Sequence, residues 1–208
     1  RHAQLKPAKA QVERALQKQR QLLDSAFAAL APREPGRINM YLLAVAGDGS
    51  QEVFRREVEF VRNQFAERFG MKHHALTLVN SRSTLGSVPI ATRASLREAL
   101  KRIAASMDTQ EDVLFLFFTS HGSPEHEFAL HQPHVRLRDL RARELGSLLK
   151  ESGIRWKVVL ISACYSGGFI DAIKDDTTLV ITAARHDRPS FGCDDENEFT
   201  YFGRAFFK

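Results

Sequence analysis

The sequence predicts an α/β sandwich built on a mostly parallel central sheet of about six strands. Three observations predict it. Short apolar runs of strand length alternate with longer segments whose apolar residues recur at helical spacing. Those intervening segments are long enough to cross over the sheet and return the chain parallel to itself. Val113 to Phe118 is apolar at every position, which suits a strand covered on both faces.

The elements follow in order. Leu5, Val12, Leu16, Leu23, Phe27 and Leu30 fall close to one helical face, so residues 5–30 are predicted as one amphipathic helix. The stretch APREPG at 31–36 ends it. INMYLLAVAG (38–47) reads as a strand that leaves through glycine. Val53, Phe54, Val58, Val61, Phe65 and Phe69 mark a helix within 51–69. HALTLV (74–79) is a strand, and residues 80–91 are a polar loop. Thr92 or Ser95 caps a helix that runs to about Ser106. After the strand at 113–118, residues 126–138 are irregular or a short hairpin. A helix spans about 139–151 and ends at Gly153. WKVVLIS (156–162) is a strand, followed by a glycine-led helical turn and the strand TTLVITAA (177–184). Residues 185–197 are a polar loop, and EFTYFGRAFFK opens a last helix.

This divides the chain into residues 1–36, an amphipathic helix with its linker, and residues 37–208, one α/β domain expected to be cut short at its C-terminal end. A chain of 208 residues with 43% hydrophobic content can bury a core without disulfides or metals. The first residue is Arg1 rather than Met, so the chain is expected to be a piece of a longer protein, and any membrane contact is expected through a segment outside it. The longest apolar run, Met40 to Ala46, is seven residues, too short to cross a bilayer.

The net charge of +5 does not point to nucleic acid. Residues 1–20 carry six basic side chains against Glu13 alone, which accounts for the whole excess and leaves the remainder neutral. No nucleic-acid-binding motif accompanies it. The two cysteines, Cys164 and Cys193, allow one bridge at most and no disulfide framework.

In open parallel sheets, chemistry gathers beyond the carboxyl ends of the strands. Three strand ends here carry reactive or glycine-rich sequence: Gly47-Asp48-Gly49, Ser120-His121-Gly122 and Ala163-Cys164. If the strands LFLFF and KVVLIS are neighbours, His121 and Cys164 leave the same edge. A thiol nucleophile needs such a neighbour, because the thiolate is the reactive form and an imidazole can take its proton and later protonate a leaving amine. The backbone amides of Gly122 and Cys164 would then form an oxyanion hole. A lone His and a lone Cys also occur as ordinary packing residues, so the flanking sequence has to decide.

The flanking sequence is specific. TSHGS followed by VVLISACYSGGF resembles the legumain (C13) family of cysteine peptidases, within the caspase-like clan. The order, with His some forty residues before an Ala-Cys pair, has the layout of the caspase signature and not of papain-like enzymes. The resemblance extends over most of residues 38–204 and implies a caspase-like three-layer sandwich. It implies a Cys-His dyad of Cys164 and His121, with Gly122 and Cys164 holding the oxyanion and no metal or organic cofactor. In AGDGSQEVFRREVE (46–59), Arg55 stands where the family lines the pocket for the P1 side chain. In TAARHDRPSFGCDDENEFTYFG (182–203), Ser190 stands at a pocket wall and Cys193 matches a family cysteine.

Three positions depart from the family pattern. Val53 replaces an Asn thought to support the catalytic His. Ser162 replaces an acidic residue before the Ala-Cys pair, and Arg204 replaces another after Thr-Tyr-x-Gly. Losing carboxylates and gaining a cation tilts a pocket shaped by Arg55, Ser162, Ser190 and Arg204 toward an acidic residue. The expected activity is a cysteine endopeptidase cutting a protein or peptide substrate after Asp or Asn. A transamidase on the same scaffold and a catalytically silent partner-binding scaffold are the alternatives.

Other patterns carry less. Gly47-Asp48-Gly49 lacks the third glycine of a dinucleotide fingerprint. His126, His131 and His134 lack a Cys or acid at zinc-ligand spacing and read as a polar loop. Ser166 is not in a Gly-x-Ser-x-Gly elbow. Residues 193–198 are acidic but not spaced as a calcium loop.

Overall fold

The computed structural model describes residues 2–70, 72–192 and 196–208. The central sheet contains β1 (Met40–Ala46), β2 (Ala75–Val79), β3 (Val113–Thr119), β6 (Trp156–Ser162) and β7 (Thr178–Thr182), in the order β2-β1-β3-β6-β7. All four pairings are parallel. The sheet thus has five strands where about six were expected. Two further strands, β4 (Glu127–Phe128) and β5 (Leu140–Arg141), pair antiparallel as a separate ribbon, within and just beyond the stretch read as irregular.

The strands are apolar throughout because both faces are covered. Tyr41, Leu43 and Val45 of β1 join a cluster with α4 (Arg93–Ser106) and α5 (Ala142–Glu151). Leu42, Ala44 and Ala46, on the opposite face, pack with Val53, Phe54, Val58, Val61 and Phe65 of α3 (Val53–Phe69). Alternate side chains of β3 divide the same way, Leu114, Leu116 and Phe118 against Phe115 and Phe117. Each Val, Leu or Phe side chain among them withdrawn from water contributes on the order of 1.5–3 kcal/mol before chain entropy is counted. The result is a three-layer α/β sandwich.

Local signals fix the boundaries. Thr92 caps α4 by accepting the Ser95 amide, and Ser95 returns the bond, so the two expected capping residues form one reciprocal box. Gly70 ends α3 in the left-handed conformation at φ 64°. The N-terminal helix is two helices, α1 (His2–Gln17) and α2 (Gln19–Ala28), parted at Lys18. The side chain of Leu5, first in the predicted stripe, lies outside the described residues. Leu23, Ala26, Phe27 and Leu30 pack on the α4 side of the core, and the Gln19 side chain accepts the Ile90 amide. The linker is pinned as well: Arg33 and the Asn39 amide both bond to the buried carboxylate of Asp112, which precedes β3. Among the described residues no helix is long and apolar enough to cross a membrane.

The strand order places a topological switch between β1 and β3. From β1 the chain turns to β2 on one side, and everything later lies on the other. Ligands in open α/β sheets bind outside the carboxyl ends at such a point. The exits of β1, β3 and β6 are therefore the place to seek a site.

Candidate active site

Register aligns the two reactive strand ends. Thr119, the last residue of β3, pairs with Ser162, the last of β6. His121 and Cys164 each lie two residues farther on, past adjacent strands and on the same edge of the sheet. The Ser120 amide donates to the Ser162 carbonyl at 3.1 Å and holds the two exits together. Gly122 passes so close to Cys164 that a Cβ there would collide with the Cys164 carbonyl oxygen. The glycine is thus required by the neighbouring strand end and not by its own φ.

Cys164 is a half-buried free thiol. Its Sγ receives the Ser190 amide at 3.2 Å and lies 3.6 Å from the Ser190 carbonyl oxygen. The turn behind it is tight. Tyr165 is held at φ 55°, uncommon for a residue with a side chain, and its amide donates to the Arg188 carbonyl. The Gly167 amide donates to the Ala184 carbonyl, so the nucleophile turn is laced to the loop after β7. No hydrogen bond takes up the amides of Gly122 or Cys164 among the described residues. Gly122 lies against the Cys164 backbone, so two amides without a described partner fall at the neighbouring exits.

His121 is partly buried. Its Nε2 lies 2.6 Å from Gln51 Oε1, and its ring stands nearly perpendicular to that of Phe54, at 85° with centroids 5.1 Å apart. No hydrogen bond joins His121 to Cys164 among the described residues; the two side chains sit at neighbouring exits with separate partners. Neither Gln51 nor Phe54 stands out in the sequence as a site residue. Phe54 carried a packing signal, and Gln51 carried none.

The expected pocket residues fall into different environments. Ser190 meets the thiol through its backbone. Arg55 forms ion pairs with Glu52 at 2.5 Å and Glu59 at 2.7 Å, so two carboxylates offset its charge. Glu52 in turn accepts from Ser81 and Ser83 in the loop after β2. Arg204 is exposed on α7 (Tyr201–Phe207). Ser162, expected to help shape the pocket, is only 3% exposed and hydrogen-bonds to Thr200 at 3.2 Å, which puts it in the layer beneath the strand exits. Cys193 lies outside the described residues. The histidines of the polar loop have separate partners, His131 with Asp48 and His126 with the His186 carbonyl.

Beneath the site lies a buried carboxyl that sequence reading missed. Glu57 of α3 is fully enclosed and accepts the hydroxyls of Thr119 and Thr200 at 2.5 and 2.6 Å. It ties the end of β3 to the start of α7, and its oxygen fills the space where Gly203 would carry a Cβ. The readable signal was an acid inside the apolar stripe Val53, Phe54, Val58, Val61. Burial pushes its pKa up, and the two threonine bonds offset only part of that rise. The native state therefore keeps the proton at pH values where the unfolded chain has lost it. The stability this group contributes is full below the unfolded carboxyl range near 4.3 and is lost as pH rises toward the folded pKa. Glu57→Gln cannot titrate. Its stability relative to wild type is expected to rise between pH 4.5 and 7.5, by about 1.4 kcal/mol for each unit separating the folded and unfolded ionisations. Urea unfolding at the two pH values measures this, and a pH-independent difference would contradict it.

The model of the peptidase C13 family matches residues 92–208, more than half of the chain, and the match takes in both His121 and Cys164. No curated protein matches the chain.

Proposed function

Because this chain belongs to the peptidase C13 family, a family of cysteine peptidases, we propose that it is an endopeptidase working through Cys164 and His121. The observation that supports this most is the register of β3 and β6, which sends the imidazole and the thiol out of adjacent strands in step.

The chemistry follows from the residues. His121 takes the thiol proton, and the thiolate attacks the scissile carbonyl. The C–S bond forms as the carbonyl π pair moves to oxygen. The Gly122 and Cys164 amides donate to that oxyanion. The C–N bond then breaks, and the imidazolium passes its proton to the leaving amine. Water resolves the thioester, which releases the acid and restores the thiol. An amine in place of water would give transamidation from the same acyl-enzyme. For the P1 residue, Arg204 forms no ion pair among the described residues, whereas Arg55 has two, and Ser190 meets the sulfur through its amide. We assign a preference for Asp or Asn on that basis.

A fluorogenic peptide library varied at P1 tests this, with mass spectrometry of products formed with and without glycinamide. Cleavage strongest after Asp or Asn, giving free acid, is expected. Cleavage after Arg or Lys alone would overturn the pocket assignment. Glycinamide adducts as the main product would make the enzyme a transamidase. Absence of cleavage together with no labelling of Cys164 by a peptidyl chloromethyl ketone would make the chain a silent scaffold.

A further inference from the structure

We infer that Gln51 is the positioning residue of His121, fixing the imidazole with its proton on Nε2 and leaving Nδ1 as the base. This rests on the dyad reading above and adds its third member.

The exits of three adjacent strands meet here. β6 delivers the thiol, β3 the imidazole, and β1, on the other flank of β3, delivers Gln51 five residues past its end. Gln51 Oε1 is 2.6 Å from His121 Nε2. An amide oxygen only accepts, so Nε2 must carry the hydrogen and Nδ1 must be the free lone pair in the neutral ring. Phe54 stands nearly perpendicular to the ring, with centroids 5.1 Å apart, and restricts its rotation. Val53 stands at the position where the resemblance led us to expect a supporting Asn, but it is fully buried in the α3 core and can offer the ring no hydrogen bond. Gln51, two residues earlier and just ahead of α3, reaches the imidazole instead.

The position of Gln51 is itself fixed. The Gly47 amide donates to Thr119 and the Gly49 amide to His131, which pin the loop start, and Ser50 is held through both its amide and hydroxyl by Asp48. During the reaction the proton on Nε2 never moves. Nδ1 accepts the thiol proton and later gives it to the leaving amine, while the amide oxygen faces the imidazolium charge that develops between those steps.

The test uses Gln51→Ala, Gln51→Asn and Gln51→Glu in the whole chain. Three readouts are taken: kcat and KM on the best library substrate, their pH dependence, and the tautomer of His121 from imidazole ¹⁵N shifts. Gln51→Ala is expected to lower kcat roughly 10-fold to 100-fold with KM little changed, and to lose the defined Nε2–H tautomer. Gln51→Asn is a methylene short and is not expected to rescue. Gln51→Glu keeps the reach and restores the tautomer, and its carboxylate moves the acid limb of kcat/KM to higher pH by about one unit. An unchanged kcat and tautomer in Gln51→Ala would overturn the inference, as would an unmoved acid limb in Gln51→Glu. If Gln51→Ala fails to fold, the near-isosteric Gln51→Glu decides alone. If wild type neither cleaves peptides nor labels at Cys164, the dyad reading has failed, and the ¹⁵N comparison still decides what Gln51 does to the ring.

Discussion

Cys164→Ala is expected to abolish peptide cleavage, lowering kcat by about 10⁴-fold or more, while leaving the fold intact. The loss is large because in the proposed mechanism the thiol forms the covalent intermediate. Ser166, two residues on, is buried with its hydroxyl directed at the Ala184 carbonyl. The stability change is small because the side chain is half-buried and its polar partner is the exposed-loop backbone at Ser190. His121→Ala should match the kinetic loss closely, and the double variant should lose little more than either single one. Groups that act as a unit are not additive. A Cys164→Ala enzyme that keeps more than about one-tenth of wild-type kcat would remove the thiol from the mechanism.

Gly122→Ala is expected to be the most damaging change that touches no reactive atom. The added Cβ would strike the Cys164 carbonyl oxygen, lie 3.1 Å from the carbonyl carbon, and press on Ala163 at 3.3 Å. The backbone has no room to retreat. The Ser120 amide is bonded to Ser162 on one side, and the His121 carbonyl accepts from Ala129 on the other. The two strand exits must part, which shifts sulfur, imidazole and the two proposed oxyanion donors together. Misplacement of about 1 Å can cost 100-fold, and loss of one oxyanion donor costs a further 100-fold to 1,000-fold. The overpacking itself costs roughly 1–3 kcal/mol. Steady-state kinetics beside urea unfolding separates the two effects. A variant with near-wild-type kcat/KM would mean that the exits do not abut as described.

Much of this was legible beforehand, for identifiable reasons. Strands buried on both faces announce themselves as unbroken apolar runs, so the readings at 38–47, 113–118 and 156–162 fall on β1, β3 and β6, with bounds off by two residues at most. The glycine after His121 was legible as an open backbone; that it abuts Cys164 was not, because strand adjacency is a tertiary fact. Gln51 was invisible for the same reason. It precedes its helix with no periodic signal, and only the β1–β3 pairing brings it to the imidazole. Arg55 illustrates a signal present but unused: Glu52 and Glu59 stand three residues before and four after it, the spacing of helical ion pairs. The parting of α1 from α2 at Lys18 has no glycine or proline to announce it. Ribbon strands two residues long carry too little pattern to read.

The central claim is that β3 and β6 hand an imidazole and a thiol to one cleft. The most direct measurement is the alkylation rate of Cys164 by iodoacetamide across pH 6–9, followed on the Cys164 peptide by mass spectrometry, in wild type and in His121→Ala. A shared cleft predicts that wild-type Cys164 reacts at least about 10-fold faster near neutral pH, because the imidazole accepts the thiol proton, and that His121→Ala erases the advantage. Equal rates at every pH would show that the imidazole does not reach the sulfur.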